Sequence, residues 1–127
     1  MEQNKVTPTA AELEILNILW GNEPLTVEEI HEELLKTKDV GYTTALKIMQ
    51  NMTTKGLLKR ELQGKSHLYY SAIKQDETQR TLLNRFVENA FGGSASKLVM
   101  QLLGNKKTSK AELEEIKQII EHLDQNK

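Results

Sequence analysis

The 127-residue chain contains no cysteine, which excludes disulfides, zinc knuckles and thiol nucleophiles. Its apolar runs never exceed three residues, Ile18 to Trp20 being one, so no segment reads as a bilayer span and no membrane insertion is expected. The stretch Met1 to Pro8 has neither a basic n-region nor an apolar h-region, so a secretory signal is not expected and a cytoplasmic location is. Aromatics are few. Two Phe, three Tyr and one Trp leave a core to be built mainly from Leu, Ile and Val.

Catalytic patterns are missing as well. His31, His67 and His122 are the only imidazoles, and they fall on three different predicted elements. The pair His31-Glu32 lacks the second histidine of a metalloprotease helix. There is no glycine-rich phosphate loop and no nucleophile elbow. Glu28, Glu29, Glu32 and Glu33 occupy near-consecutive helix positions, which do not converge on one substrate, and read as a solvated acidic face. The expectation is a protein that is not an enzyme and takes no metal or cofactor.

What is present is a folding composition, 38% hydrophobic and 28% charged, with a formal net charge of −1. Near-neutrality ordinarily argues against a nucleic-acid partner. The location of the charge reverses that reading. Residues 1–40 hold three Lys/Arg against nine Asp/Glu, residues 41–74 hold six against Glu61 alone, and residues 75–127 hold eight of each. An acidic block followed by a compact basic one makes a dipolar domain that can turn one face to a polyanion.

Helix starts are marked by capping boxes. Thr9 precedes Glu12, Thr26 precedes Glu29 and Ser109 precedes Glu112 at the S/T-x-x-E spacing, and each opens an apolar periodic run. A further helix is predicted from about Tyr42 to Lys55, with Ala45, Ile48, Met49 and Met52 inward and Gly56 beyond its end. The period then changes to that of strands. Leu57 to Leu62 and Ser66 to Ile73 are predicted to flank a Gln63-Gly64-Lys65 turn, with one face of the second strand packed. Helical period returns from Asp76, breaks at Gly92-Gly93-Ser94, and returns in a short helix around Leu98 to Leu103 and a last one from about Lys110 to Leu123.

The order predicts a mainly α fold with a small β-hairpin wing. It consists of a winged helix-turn-helix DNA-binding domain over 1–74 and a helical dimerisation domain over 75–127. Three short amphipathic helices bury their stripes poorly alone, so a second copy is the natural cover. The expected dimer interface is Leu83, Phe86, Val87, Phe91, Leu98, Leu102, Leu113, Ile116, Ile120 and Leu123.

The candidate DNA-binding residues begin with Tyr42, Thr43, Thr44, Lys47, Gln50 and Asn51 on the third helix. No Asp or Glu occurs from Val40 through Arg60. Hydroxyl, amide and ammonium groups without carboxylates suit base edges and phosphates. The plain alternative is a solvated helix face. Lys55 at the end of this helix, with Lys59, Arg60, Lys65 and His67 on the hairpin, extends the set as contacts suited to backbone phosphate, the alternative for the hairpin being charges that guard an exposed strand edge. Two other functions stay open: an adaptor whose basic face meets an acidic protein, and a repressor whose helical half binds a small molecule.

The blocks TAAELEILNILWGNEPLTVEEI, YTTALKIMQNMTTKGLLKRE, KSHLYYS, AFGGSASKLVMQLL and KAELEEIKQII, in this order, resemble the penicillinase and methicillin-resistance repressors of the BlaI/MecI/CopY group. Trp20, Thr44, Lys55-Gly56 and Tyr69-Tyr70 match the family pattern. The resemblance implies a homodimeric repressor bound to a palindromic double-stranded DNA operator in antibiotic resistance. It also implies a membrane-bound sensor with a metalloprotease domain that triggers cleavage of the repressor. The family's scissile Asn-Phe pair falls on Gln101-Leu102, so Gln101 and Leu102 are the expected cleavage residues. Thr43, Leu46, Lys47 and Gln50 depart from the staphylococcal repressors, and the C-terminal cysteines of the copper-responsive branch are absent.

Overall fold

A computed structural model describes residues 7–104 and 107–125 of the chain. Their order is α1 (Ala10–Leu19), α2 (Val27–Leu35), α3 (Tyr42–Lys55), β1 (Leu58–Gln63), β2 (Ser66–Ser71), α4 (Gln75–Phe91), α5 (Ala95–Gly104) and α6 (Lys110–Gln125). Two compact units divide the chain inside α4, between Arg80 and Thr81.

The capping boxes form at the first two helices. The Thr9 and Thr26 hydroxyls accept from the N–H groups of Glu12 and Glu29, whose carboxylates accept from the cap N–H in return. At α6 the Ser109 hydroxyl accepts from the Glu112 N–H at 3.1 Å. Each contact satisfies a donor that the first helical turn leaves without a partner. α3 starts instead at Gly41, with no side-chain cap. It stops where Gly56 takes φ 86°, a conformation costly for any residue with a Cβ, and the Leu57 N–H closes back on the Met52 carbonyl at 2.9 Å.

The first unit has the core. Ile15, Leu16 and Leu19 of α1 meet Val27, Ile30 and Leu34 of α2 and Ala45, Met49 and Met52 of α3, closed over by Leu57, Leu58 and Tyr69. Ile48, expected inward, packs at the edge of this core and is only half-buried. β1 and β2 pair antiparallel from Leu58–Ser71 to Gln63–Ser66, so the turn is the two residues Gly64-Lys65 rather than three. Gly64 takes φ 63°, which a two-residue hairpin turn demands of its first position. The packed face of β2 carries Tyr69, which is buried, while Leu68 and Tyr70 on the other face are half-exposed.

One element has no counterpart in the sequence reading. Leu25, just before α2, exchanges two backbone hydrogen bonds with Tyr69, a one-residue third strand at the inner edge of the hairpin. Beside it the Trp20 indole N–H, at the end of α1, donates to the Ser71 hydroxyl and the Ile73 carbonyl. Hairpin and helices are thereby fixed to each other.

The second unit is built differently. No described residue from Thr81 to Leu123 is buried. Phe86 and Phe91 meet edge to face at 5.6 Å between ring centres, and the Gly93 N–H returns to the Val87 carbonyl to end α4. Thr108 donates to the Leu102 carbonyl beyond the end of α5. Leu83, Phe86, Leu102, Ile120 and Leu123 stand exposed, and Val87, Phe91, Leu98, Leu113 and Ile116 are half-buried.

Candidate nucleic-acid interface

α2 and α3 form a helix-turn-helix whose turn is held locally. The Leu34 carbonyl accepts from the Thr37 and Lys38 N–H groups, and the Lys38 ammonium reaches Glu14 of α1 at 2.8 Å. His31 sits 2.7 Å from the Val40 carbonyl through Nε2, so that nitrogen carries the proton and donates. The same ring meets Tyr42 edge-on at 5.9 Å. His31 therefore fixes the entry to α3, a role that a lone histidine in an acidic helix gives no sign of in sequence.

The helical period then sorts α3 into two faces. Ala45, Met49 and Met52 are buried, while Tyr42, Thr43, Thr44, Lys47, Gln50 and Asn51 are all exposed. The side chains of Thr43, Thr44, Lys47, Gln50 and Asn51 make no hydrogen bond or ion pair among the described residues. Thr53 and Thr54, one turn on, donate to the Met49 and Gln50 carbonyls of their own helix. The first turns of α3 thus offer uncommitted donors and acceptors, and its last turn does not.

The cations divide in the same way. Lys36, Lys38 and Lys55 are paired with Glu33, Glu14 and Glu12. Lys47, Lys59, Arg60 and Lys65 have no such partner among the described residues. Lys55, placed by the sequence among the phosphate contacts, lies 2.6 Å from a carboxylate oxygen of Glu12 at the start of α1.

The hairpin pleat separates the wing residues that the sequence grouped. Cross-strand partners share a face, so Leu58, Arg60, Leu62, His67, Tyr69 and Ser71 lie on the core-facing side and Lys59, Glu61, Leu68 and Tyr70 on the other. Arg60 and His67 therefore extend the inner face beyond the core. Leu62 stands between them, 67% exposed. The His67 ring leans on Tyr69 at 6.4 Å. On the outer face the Tyr70 phenol is held above its usual pKa, chiefly by interaction with the carboxylate of Glu61, the one acid between Val40 and Lys74. Leu62 does not stand out in the sequence, because it is one of three leucines in the strands and its exposure is evident only once its face is known. The described residues contain no group of three or more potential metal ligands.

Three helices, a two-stranded wing and a bridge at its base define a winged helix-turn-helix. In solved structures the same fold occurs in the DNA-binding domain of the repressor BlaI, at TM-score 0.50 and 24% identity over 55% of this chain and 85% of that one. It also occurs in the monomeric form of Bacillus licheniformis BlaI in complex with the blaP half-operator, at TM-score 0.50 and 24% identity over 57% and 88%. The penicillinase repressor family model matches residues 8–122, and the chain belongs to that family. It is 28% identical over 120 residues to a penicillinase repressor of Staphylococcus aureus, covering 94% of this chain and 95% of the relative. It is 24% identical over 120 residues to the methicillin resistance regulatory protein MecI of Staphylococcus aureus strain N315, covering 94% and 98%. No described helix is long and apolar enough to cross a membrane.

Proposed function

We propose that the chain is a homodimeric transcriptional repressor whose two α3 helices enter successive major grooves of a palindromic operator. The observation that carries this is the exposed face of α3. In a chain of net charge −1, it presents Thr43, Thr44, Lys47, Gln50 and Asn51 with no carboxylate and no hydrogen-bond or ion-pair partner among the described residues. Lys suits guanine, Gln suits adenine and threonine methyls suit thymine. Arg60, Lys65 and His67 of the wing, with Lys59 on its outer side, supply charge for the phosphate backbone, which positions the protein without selecting sequence.

Family membership supports the repressor reading, and the unburied second unit supports the dimer. Helices over 75–127 whose apolar side chains lie open gain stability by covering one another across a two-fold axis. A gel shift on the chain's own promoter region, followed by footprinting, tests the reading. Protection of two half-sites roughly 10 bp or a multiple apart is expected. Absence of any sequence-selective shift would favour the adaptor reading.

The off-switch proposed is cleavage at Gln101-Leu102, in a cytoplasmic chain, by a membrane-bound sensor metalloprotease or a protease that it triggers. Both residues are exposed on α5. A cut there detaches α6 and its share of the dimer surface, and loss of simultaneous half-site binding costs roughly two to four orders of magnitude in avidity. Mass spectrometry of the repressor from induced cells decides it: fragments ending at Gln101 are expected, and intact protein alongside full derepression overturns it.

A further inference from the structure

Glu12 is 5% exposed and is the one buried charged residue among those described. One carboxylate oxygen caps α1 by accepting from the Thr9 N–H at 2.9 Å, and the other receives the Lys55 ammonium at 2.6 Å. The bond spans 43 residues of sequence and joins the first turn of α1 to the last turn of α3. A buried carboxylate left without its cation is strongly unfavourable, so the pair resists separation. Lys55 itself keeps part of its side chain open, on a shallow groove that Asn51 and Thr54 also line, within reach of the face offered to DNA. A cation at the edge of a recognition helix normally adds one phosphate contact, and here it is already neutralised.

We propose that Glu12 is a positioning residue for DNA binding, which fixes the end of α3 against α1 and withholds the Lys55 charge from phosphate. This rests on the repressor reading and removes Lys55 from the phosphate-contact set. The number of phosphates neutralised is then set by Lys59, Arg60 and Lys65, and the affinity of the chain for arbitrary DNA is lower than its count of basic residues implies. Hydrogen bonds and charge from Lys55, together with the Thr9 N–H, outweigh the opposing effect of burial and hold the Glu12 carboxyl below its usual pKa, consistent with the geometry.

Salt dependence of DNA binding by the full chain tests the proposal, since a purely structural role leaves the slope alone. With promoter DNA, Glu12→Gln is expected to steepen the slope of log K against log salt by about 0.9, as freed Lys55 finds a phosphate. The Glu12→Gln, Lys55→Met double variant should return to the wild-type slope, and Lys55→Met alone should not change it. A Lys55→Met slope shallower by about 0.9 would mean that Lys55 already sits on phosphate, and overturns the proposal. So does a Glu12→Gln slope equal to wild type. Carboxyl titration by NMR without DNA covers the case in which a variant folds poorly: the Glu12 titration should move upward in Lys55→Met, and an unmoved curve overturns the pairing. A wild-type chain that binds no DNA would retire the repressor reading, and the titration would still decide the pair.

Discussion

The indole N–H of Trp20 is shared between the Ser71 hydroxyl at 3.0 Å and the Ile73 carbonyl at 3.2 Å, which ties the end of α1 to the strand that leaves the wing. Ser71 also donates to the same carbonyl and accepts from the Ile73 N–H, so the indole joins a closed polar knot at the base of the hairpin. Trp20→Phe keeps much of the ring and removes the donor. It should cost about 1 kcal/mol, seen as a lower urea midpoint at unchanged m-value. A loss of the same size in a Ser71→Ala background would mean that the Ser71 hydroxyl contributes nothing to it, leaving the Ile73 carbonyl and ring packing responsible.

Gln50→Ala and Lys47→Ala remove exposed side chains that make no hydrogen bond or ion pair among the described residues, so thermal midpoints should stay near wild type. Affinity for the preferred site should fall by roughly 1–3 kcal/mol and its sequence preference should relax. Equal losses on preferred and random DNA would move both residues to the phosphate contacts.

Lys65 in the turn of the wing and Arg60 on its inner face carry charge with no ion-pair partner among the described residues. Neutralising either with Gln should weaken binding to all DNA about equally and lower the salt slope by about 0.9 per contact. Unchanged slopes in the double variant would remove the wing from the interface.

Ile116 and Ile120 lie on α6, half-buried and exposed respectively in the single chain. Replacing both by Asp places carboxylates in the proposed seam between copies, at a cost of several kcal/mol if they are enclosed there. Sedimentation should show wild-type dimer and variant monomer at micromolar concentration. A compact wild-type monomer would end the dimer assignment.

Glu12 links stability to pH. Its folded-state pKa lies below the unfolded value, so the contribution is complete above about pH 4.3 and disappears as pH falls through the lower folded value. Glu12→Gln should be less stable than wild type at pH 7, with the gap narrowing below about pH 4. A constant gap across that range would show that the carboxylate charge contributes nothing.

Helix starts were legible because a capping box is written in four consecutive residues, and Thr9 to Glu12 and Thr26 to Glu29 form as spaced. The face of α3 was legible for a similar reason, since Ala45, Met49 and Met52 repeat at the helical period. Wing parity was not. Leu68, Tyr69 and Tyr70 are consecutive apolar residues, so alternation alone selects no face, and the bridge from Leu25 to Tyr69 supplies what the pattern lacks. Nor was the tie of Glu12 to Lys55: the capping signature accounts for one carboxylate oxygen and is silent about the other, which is engaged by chain packing at long range.

The division of α3 into a buried face and an uncommitted one separates two kinds of inheritance. Ala45, Met49 and Met52 answer to the core, whereas the side chains of Thr43, Lys47 and Gln50 are exposed and make no hydrogen bond or ion pair among the described residues. Exposed changes of this kind usually alter stability by no more than about 0.5 kcal/mol. Positions 43, 47 and 50 can therefore vary between lineages at little folding cost, and on the proposed reading duplicated copies of one scaffold can come to serve different promoters in one cell without cross-talk.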